Sequence, residues 1–377
     1  MAAVIVIGAG IIGASVAFRL AQAGASVTVL EATRIGAGTS GTSFCWTNAH
    51  DKAPRPYHDL NVAGMKAHRA LRDEFAATPW LHENGCLEWA GEAGREKQRQ
   101  RIERLQSWGY AAEWIGAAQL RELAPDIDPA AVGDASVAWF PEEGWVDPVV
   151  YAHSMLAAAG RLGARVVIGA RVARVDVRAG KATGVTTADG TAHFADVVVN
   201  CTGRWADDAG FDPGLRIPLA PTAGLLVFTP PVATGLDRVL QAPDCHIRPD
   251  GAGRLLVCRN DAEFNPAVAP RPSVDLPEVR DLLRRARAIL PAIGPVEPEA
   301  VRLGIRAIPR DGYSAVGPLP QVQGYYAAVT HSGVTLAAFL GTAVADEVAR
   351  GITRPELATF RPARFFAEAA SSLQHAL

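Results

Sequence analysis

The sequence predicts an α/β fold, and three stretches of the chain support that prediction. Residues 4–31 read as a strand, a glycine-rich turn, a helix and a second strand. Residues 165–203 read as strands separated by two turns, and the last strand ends in a turn of small residues. Residues 324–351 read as a strand, a short turn and a long helix. Buried strands that alternate with helices are typical of a parallel sheet covered by helices.

The first stretch contains a G-x-G-x-x-G motif directly after a β-branched run, VIVI at residues 4–7. Gly8 permits the tight turn, Gly10 allows close approach of a pyrophosphate, and Gly13 lets the helix pack against the strand. Glu31 ends the second strand, where a carboxylate accepts hydrogen bonds from ribose hydroxyls and repels a 2′-phosphate. The unit therefore predicts a dinucleotide site of Rossmann type and disfavours NADP.

The segment after Glu31 distinguishes between dinucleotides. A nicotinamide-binding domain continues there with alternating strands and helices. Residues 34–50 (RIGAGTSGTSFCWTNAH) instead lack a helix or strand period and are rich in Gly, Ser and Thr. Two interpretations stay open for this loop: it wraps a pyrophosphate and a ribityl chain with backbone and hydroxyl donors, or it is a flexible surface loop.

Two later segments also point to a cofactor. GWVDP at 144–148 opens a helix through residue 162, and the strands that follow have turns at Ala179-Gly180 and Asp189-Gly190. The strand at 196–200 then delivers Cys201-Thr202-Gly203, a small-residue turn whose backbone N–H groups can face a cofactor. The turn at 330–333 opens the last helix, whose positive end suits a ring that becomes negatively charged on reduction.

Composition limits the class of protein. The chain has 377 residues, 49% of them apolar and 20% charged, with a net charge of −2. These values argue against a nucleic-acid partner or a basic membrane-surface patch. The five cysteines show neither a zinc-ligand spacing nor a disulfide framework, so we expect no metal and reduced thiols. Without a basic region before the first apolar run, and with no run long enough to span a bilayer, we expect a cytoplasmic protein without a transmembrane segment.

Taken together, these pieces resemble the D-amino-acid oxidase superfamily, including its glycine oxidases, D-amino acid dehydrogenases and sarcosine oxidases. The resemblance covers most of the chain and rests on six pieces in order: VIVIGAGIIG…VTVLE, GAGTSG, GWVDP, ADVVVNCTGRWA, GIRAIPRDGYSAVG and YYAAVTHSGVTLA. It implies FAD rather than a nicotinamide cofactor. It also implies an α/β FAD-binding Rossmann-like domain interleaved with an α+β substrate domain that carries an antiparallel sheet.

The implied domains are discontinuous. The FAD-binding domain is expected from residues 1–43, 144–214 and 303–377, and the substrate-binding domain from 44–143 and 215–302. Helix-like stretches such as 94–109 and strand-like runs such as GLLVF and RLLVC fall in the second domain.

The resemblance and the motifs together predict the residues that bind FAD. They are Gly8, Gly10, Ile11, Ile12, Gly13, Glu31, Ala32, Thr39, Ser40, Ser43, Val172, Cys201, Thr202, Gly203, Trp205, Gly304, Ser332, Gly333, Val334 and Thr335.

Four residues are predicted to act on the substrate. The resemblance matches Arg306 to an arginine that grips a substrate carboxylate, a role that the bidentate guanidinium suits; the alternative is a surface salt bridge. His246, beside Arg248, either contacts the substrate or is a satisfied buried histidine. His331 either adjoins the flavin ring or has a structural role in its turn. Asn48 is expected to reach the outer face of the ring.

The sequence departs from the family pattern at several points. No arginine follows the turn of His331, and Ala307 stands where the family has proline after Arg306. The segment RDGYSAVG lacks the cysteine that tethers flavin in monomeric sarcosine oxidase. We therefore expect non-covalent FAD, with Cys45 or His50 as the alternative attachment points.

These observations predict an FAD-dependent enzyme that oxidises the C–N bond of a small amino acid or a primary or secondary amine. A hydride passes to flavin N5, and the resulting imine hydrolyses. The electrons go to oxygen or another acceptor, and a homo-oligomer is allowed. Two alternatives stay open: oxidation of a 2-hydroxy acid, and an electron-relay flavoprotein subunit of a larger complex.

Overall fold

A computed structural model describes residues 2–208, 211–267, 269 and 271–366. Residues 367–377, at the end of the predicted FAD-binding domain, lie outside the described residues. The strands are β1 (Ala3–Ile7), β2 (Ser26–Glu31), β3 (Trp46–Thr47), β4 (Leu81–His82), β5 (Cys86–Trp89), β6 (Glu113–Ile115), β7 (Val137–Phe140), β8 (Gly144–Val146), β9 (Arg165–Ile168), β10 (Val172–Arg178), β11 (Lys181–Thr187), β12 (Ala192–Phe194), β13 (Val197–Asn200), β14 (Ala223–Phe228), β15 (Val239–Gln241), β16 (His246–Pro249), β17 (Leu255–Phe264), β18 (Ala300–Ile305), β19 (Ala315–Pro318) and β20 (Tyr325–Val329).

The helices cover the sheets. They are α1 (Ile11–Gln22), α2 (Arg55–Ala70), α3 (Arg95–Ser107), α4 (Ala117–Leu123), α5 (Pro129–Val132), α6 (Pro148–Arg161), α7 (Pro277–Ile289) and α8 (Gly333–Arg350). No helix among the described residues is long and apolar enough to cross a membrane.

A six-stranded sheet organises the first layer, in the order β19-β20-β13-β1-β2-β9. All its pairs are parallel except β19 with β20. Helices α1 and α8 pack together so closely that a Cβ added at Gly341 would lie 2.8 Å from Ser15. Since neighbouring strands come from distant parts of the chain, the carboxyl ends of β1, β2, β13 and β20 meet at one edge of the sheet.

An eight-stranded sheet forms the second layer, in the order β18-β14-β17-β16-β15-β5-β7-β6. Its pairs are antiparallel except β15 with β5, where Leu240 lies opposite Leu87. Helix α7 covers one face through Val279, Leu282 and Ala286, which are buried in the same apolar cluster as the strand residues Leu225 and Val257. The parallel and antiparallel layers confirm the predicted fold class.

Two smaller sheets complete the fold. Strands β10, β11 and β12 form an antiparallel meander, and β3, β8 and β4 form a short three-stranded sheet. The sequence predicts no regular structure in residues 34–50. The structure differs, because Thr39–Thr42 forms a 3₁₀ turn and Trp46–Thr47 pairs with β8. The strands at 86–89, 113–115 and 137–140 lie in residues 44–143, where the sequence predicts helix-like stretches such as 94–109 and no particular strand.

Candidate functional site

The first cavity opens at the carboxyl edge of the parallel sheet and has a volume of about 390 Å³. Three parts of the chain line it: residues 7–43, residues 170–211 and residues 306–334. Ligands of open α/β sheets bind at this edge, outside the carboxyl ends of the strands. The three segments that predict the fold from sequence therefore converge on one cavity.

The glycine motif forms a turn in which side chains do not fit. Gly8 has φ +102°, and a Cβ there would lie 2.7 Å from the carbonyl oxygen of Cys201. A Cβ on Gly13 would lie 2.0 Å from the carbonyl oxygen of Gly8, so Gly13 seats α1 against the turn. Gly10 lines the cavity at the start of that helix. The open backbone and the helix N-terminus fit a pyrophosphate.

Glu31 is fixed beside this turn. Its Oε2 accepts a hydrogen bond from the backbone N–H of Ala9 at 2.9 Å, and its Oε1 accepts one from the N–H of Thr33 at 2.8 Å. The carboxylate also lines the first cavity. An oriented carboxylate at the end of β2 fits the ribose hydroxyls of an adenine dinucleotide, as the sequence predicts.

The glycine- and serine-rich loop packs against the start of α1 and against β18. The Ser40 hydroxyl accepts a hydrogen bond from the N–H of Ile11 at 3.0 Å, and the Thr39 hydroxyl donates to the carbonyl of Ile305 at 2.6 Å. A Cβ added at Gly304 would lie 1.9 Å from the carbonyl oxygen of Thr42. Of the two interpretations of this loop, the packed cofactor-side arrangement fits the structure better than a flexible surface loop.

The second cavity adjoins the first and has a volume of about 410 Å³. Both cavities are lined by Thr39, Ser43, Arg306, His331 and Val334, which therefore mark their junction. The wall of the second cavity comes from the loop after β3, from the eight-stranded sheet and from the turn before α8. A cofactor in the first cavity and a small substrate in the second would meet at this junction.

The predicted site residues lie at these two cavities. All twenty residues predicted to bind FAD line one of them except Gly13, which lies beneath the glycine turn. Gly304, Ser332 and Thr335 line the second cavity rather than the first. Of the residues predicted to act on substrate, Arg306 and His331 lie at the junction, and His246 and Asn48 line the second cavity.

Arg306 is the first residue after β18. Its backbone N–H donates to the carbonyl of Thr222 at 2.8 Å, and its guanidinium lies over Gly224 of β14. A Cβ on Gly224 would lie 3.3 Å from Nη2, so the glycine leaves room for the arginine. The side chain that sequence predicts as the carboxylate anchor thus lines the cavity.

Two histidines of the site are uncharged at neutral pH. Burial lowers the pKa of His246 to about 4, and the charged groups His50 and Arg306 add to that decrease. His331 is exposed to the cavities, yet the atoms packed around it, with Lys52 and Arg306, lower its pKa to about 3. Neutral imidazoles offer one donor and one acceptor each.

Arg248, the neighbour of His246 in sequence, does not line either cavity. Its Nε donates to the carbonyl of Phe44 at 2.5 Å, and its guanidinium lies 4.5 Å from the centre of the Trp145 ring. It supports the loop that carries Phe44.

A buried polar network lies behind the second cavity. His50 Nδ1 is 2.7 Å from Glu143 Oε2, and His50 Nε2 is 2.9 Å from Gln241 Oε1. Burial alone would lower the pKa of His50, but the charge and hydrogen bond of Glu143 outweigh it and raise that pKa. Tyr110 donates to Glu143 Oε1 at 2.6 Å. A protonated His50 donates to both neighbours, so the NH₂ group of Gln241 is left for the cavity.

The predicted alternative attachment points for flavin are poorly suited to that role. His50 has hydrogen-bond partners at both ring nitrogens. Burial raises the pKa of the Cys45 thiol to about 11, and its Sγ donates to the carbonyl of Ser43 at 3.0 Å. Because the thiolate is the reactive form, this cysteine is inert at neutral pH.

Sequence reasoning missed several residues of the second cavity, among them Lys52, Gln241 and Arg259. Lys52 is the last residue of the segment WTNAHDK. The only signal for it in the sequence was therefore a charged residue close to Asn48. Gln241 and Arg259 lie on strands that show no local pattern for a site.

Comparison with known proteins agrees with this geometry. The profile of the DAO family, described as FAD dependent oxidoreductase, matches residues 3–347. A glycine oxidase of Bacillus licheniformis is 27% identical over 355 residues, or 91% of this chain and 92% of that protein. An opine oxidase subunit of Agrobacterium tumefaciens (strain Ach5) is 25% identical over 378 residues, or 97% of this chain and 98% of that protein. The crystal structure of glycine oxidase from Geobacillus kaustophilus has a TM-score of 0.84 and 25% identity, covering 97% and 99% of the two chains. With a family match that spans most of its length, this chain belongs to the DAO family of FAD-dependent oxidoreductases.

Proposed function

We propose that this enzyme oxidises the C–N bond of a small amino acid, or of an amine that carries a carboxylate, to an imine that hydrolyses. The observation that carries the proposal is the position of Arg306 and His331 at the junction of the two cavities. Most of the residues that would hold FAD line the first cavity, and bound FAD supplies an acceptor for a hydride at N5. The glycine oxidase among the relatives supports the same substrate class.

Arg306 would orient the substrate. A guanidinium binds both oxygens of a carboxylate through two parallel hydrogen bonds, which fixes the direction of the adjacent carbon. Such positioning lowers the barrier because the reacting C–H bond is held in place before reaction. The amide of Asn48 has a buried oxygen with no hydrogen-bond partner among the described residues, and it is available to the substrate amine.

The charges of the cavity would favour the reactive form of the amine. Lys52 and Arg306 are cationic, while His246 and His331 stay neutral above a pH of about 4. A positive environment destabilises an ammonium ion and lowers its pKa. The substrate would therefore bind with a neutral nitrogen, whose lone pair assists loss of the hydride from the adjacent carbon.

Several further points belong to the same proposal. We propose the division into an FAD-binding domain (1–43, 144–214, 303–377) and a substrate-binding domain (44–143, 215–302), a cytoplasmic location, and non-covalent FAD. A second candidate function is that of a chain that relays electrons to a partner chain, and the opine oxidase subunit among the relatives favours it.

An anaerobic substrate panel tests the proposal. The purified holoenzyme is mixed with amino acids, N-methyl amino acids and 2-hydroxy acids while the flavin absorbance is followed. Bleaching by amines is expected. Bleaching by hydroxy acids alone would contradict C–N oxidation, and no bleaching together with a co-purifying second chain would favour the electron relay.

A further inference from the structure

The second cavity contains a cation that the proposed reaction does not require. Lys52, in the loop after β3, lines this cavity and is only partly exposed. Among the described residues, its ammonium group makes no hydrogen bond or ion pair. A half-buried ammonium without a partner is costly, since charged groups inside proteins are normally paired.

The acidic groups closest to Lys52 already have other partners. The Asp51 carboxylate also lines the second cavity, and it lies 3.2 Å from Arg101. Glu143 receives hydrogen bonds from His50 and Tyr110. These carboxylates attract Lys52 through space, but neither lies within ion-pair distance of it.

Arg306 makes the surplus of positive charge larger. Burial lowers the pKa of Lys52, and the guanidinium of Arg306 lowers it further. Arg259, which lies 3.1 Å from Asp281, lines the same cavity. An anion bound between these groups would offset both effects and raise the pKa of Lys52.

Arg306 and Lys52 extend from different elements, so each can bind a carboxylate of its own. Arg306 follows β18 and presents a fork that suits both oxygens of a single carboxylate. Lys52 follows β3 and presents a point charge with three donors. Its natural partner is therefore a second anionic group of the same ligand.

We propose that the substrate is a dicarboxylic amino acid or dicarboxylic secondary amine, with one carboxylate on Arg306 and the other on Lys52. This inference rests on the proposed function, since it names the substrate class for the same site. Lys52 acts as a specificity-determining residue, because it contacts the far end of the substrate rather than the reacting C–N bond.

Binding of unreactive acids tests the second anion site directly. The holoenzyme is titrated by calorimetry with glutarate and, separately, with butyrate, which differ in one carboxylate and carry no amine to oxidise. Glutarate is expected to bind about tenfold or more tightly than butyrate, as for one additional charged hydrogen bond. Lys52→Met should remove that difference and Lys52→Arg should retain most of it.

The control is Lys97→Met, an exposed lysine on α3 outside both cavities, which should bind both acids as wild type does. Flavin content of each variant shows whether it has folded. Equal binding of glutarate and butyrate by wild type would overturn the proposal. So would an equal loss for both acids in Lys52→Met, because Lys52 would then share the carboxylate of Arg306.

Turnover separates this inference from the proposed function. The ratio of kcat/KM for a dicarboxylic amine to that for its monocarboxylic counterpart should fall about tenfold or more in Lys52→Met. If monocarboxylic amines reduce the flavin and the ratio is unchanged, the dicarboxylate assignment fails while C–N oxidation stands. If no amine reduces the flavin, the proposed function fails and the substrate assignment fails with it.

Discussion

At the scale of single residues, Gly13 shows how one missing side chain builds the cofactor site. The glycine does not line either cavity, yet a Cβ at this position would overlap the carbonyl oxygen of Gly8. The turn and the first turn of α1 would have to move apart, and the N–H groups that face the cavity would move with them.

We predict that Gly13→Ala lowers flavin content and stability together. The matched control is Gly160→Ala in α6, where a Cβ meets nothing within 4 Å and φ is not positive. That substitution should leave flavin content unchanged and, within a helix, stabilise by about 0.5–1 kcal/mol. Flavin absorbance per chain and thermal unfolding measure both effects. Full flavin content in Gly13→Ala would show that the turn adapts.

The role of Arg306 is a second prediction at this scale. Arg306→Ala should retain FAD but raise KM for a carboxylate substrate, lowering kcat/KM by roughly 10- to 100-fold, as for a lost charged hydrogen bond. The control is Arg310→Ala, an exposed arginine four residues along the chain. Steady-state kinetics with the best substrate of the panel decide the matter, and unchanged kinetics would remove Arg306 from the site.

At the scale of elements, the pairing of His50 with Glu143 joins the loop after β3 to the segment before β8. Glu143 also accepts hydrogen bonds from the backbone N–H groups of Ala49 and His50, each at 3.0 Å. Burial raises the pKa of Glu143, but His50 and these hydrogen bonds outweigh it and lower that pKa overall. The pair therefore fixes the loop that presents Asn48 and Lys52.

The pH dependence of this pair follows from the direction of the two shifts. The raised pKa of His50 contributes stability that is complete below its ordinary value of about 6.5 and is lost as pH rises through the folded value. The lowered pKa of Glu143 contributes stability that is present above its ordinary value of about 4.3 and is lost as pH falls through the folded value. Both residues therefore contribute their full stabilisation between about pH 4.3 and pH 6.5.

We predict that Glu143→Gln destabilises the protein by about 3 kcal/mol near pH 6, because it removes the carboxylate 2.7 Å from His50 Nδ1 and leaves only that of Glu88, 3.6 Å from Nε2. The loss should be smaller at alkaline pH, where His50 is neutral. The neighbouring Glu142→Gln removes only a partly exposed pair with Arg69 and should cost less than about 1 kcal/mol at any pH. Denaturant unfolding across this pH range tests both, and a loss in Glu143→Gln that does not change with pH would contradict the assignment.

The elements that sequence predicts well are those whose pattern is local. The strand–turn–helix–strand unit at 3–31 and the strand and helix at 325–350 are continuous in sequence, so their periods and glycines are readable. Strands β5 and β7 escape prediction because each has only four residues, and β5 is completed by pairing with β15, far along the chain. The sequence does not predict Lys52 as a site residue for a similar reason, since only the fold brings it into the same cavity as Arg306.

At the scale of the whole molecule, the first cavity joins three distant segments that FAD would hold together. A ligand that binds only the folded state stabilises it by mass action. The described residues that line this cavity carry no cysteine with a reactive thiolate, because Cys201 is buried in an apolar cluster and burial raises its pKa. FAD in this cavity would therefore depend on the folded arrangement of the three segments and not on a bond to Cys201.

We predict that FAD is released on unfolding and that its binding stabilises the whole chain. Protein denatured with guanidinium and filtered should leave its flavin in the filtrate. Adding FAD to the refolded apoprotein at a free concentration one hundred times Kd should stabilise it by about 2.7 kcal/mol, seen as a higher Tm. Gly13→Ala should show a smaller shift at the same FAD concentration, because its turn binds the cofactor less tightly. Flavin that stays with the denatured chain would instead mean a covalent bond, with Cys45 and His50 as the residues to substitute first.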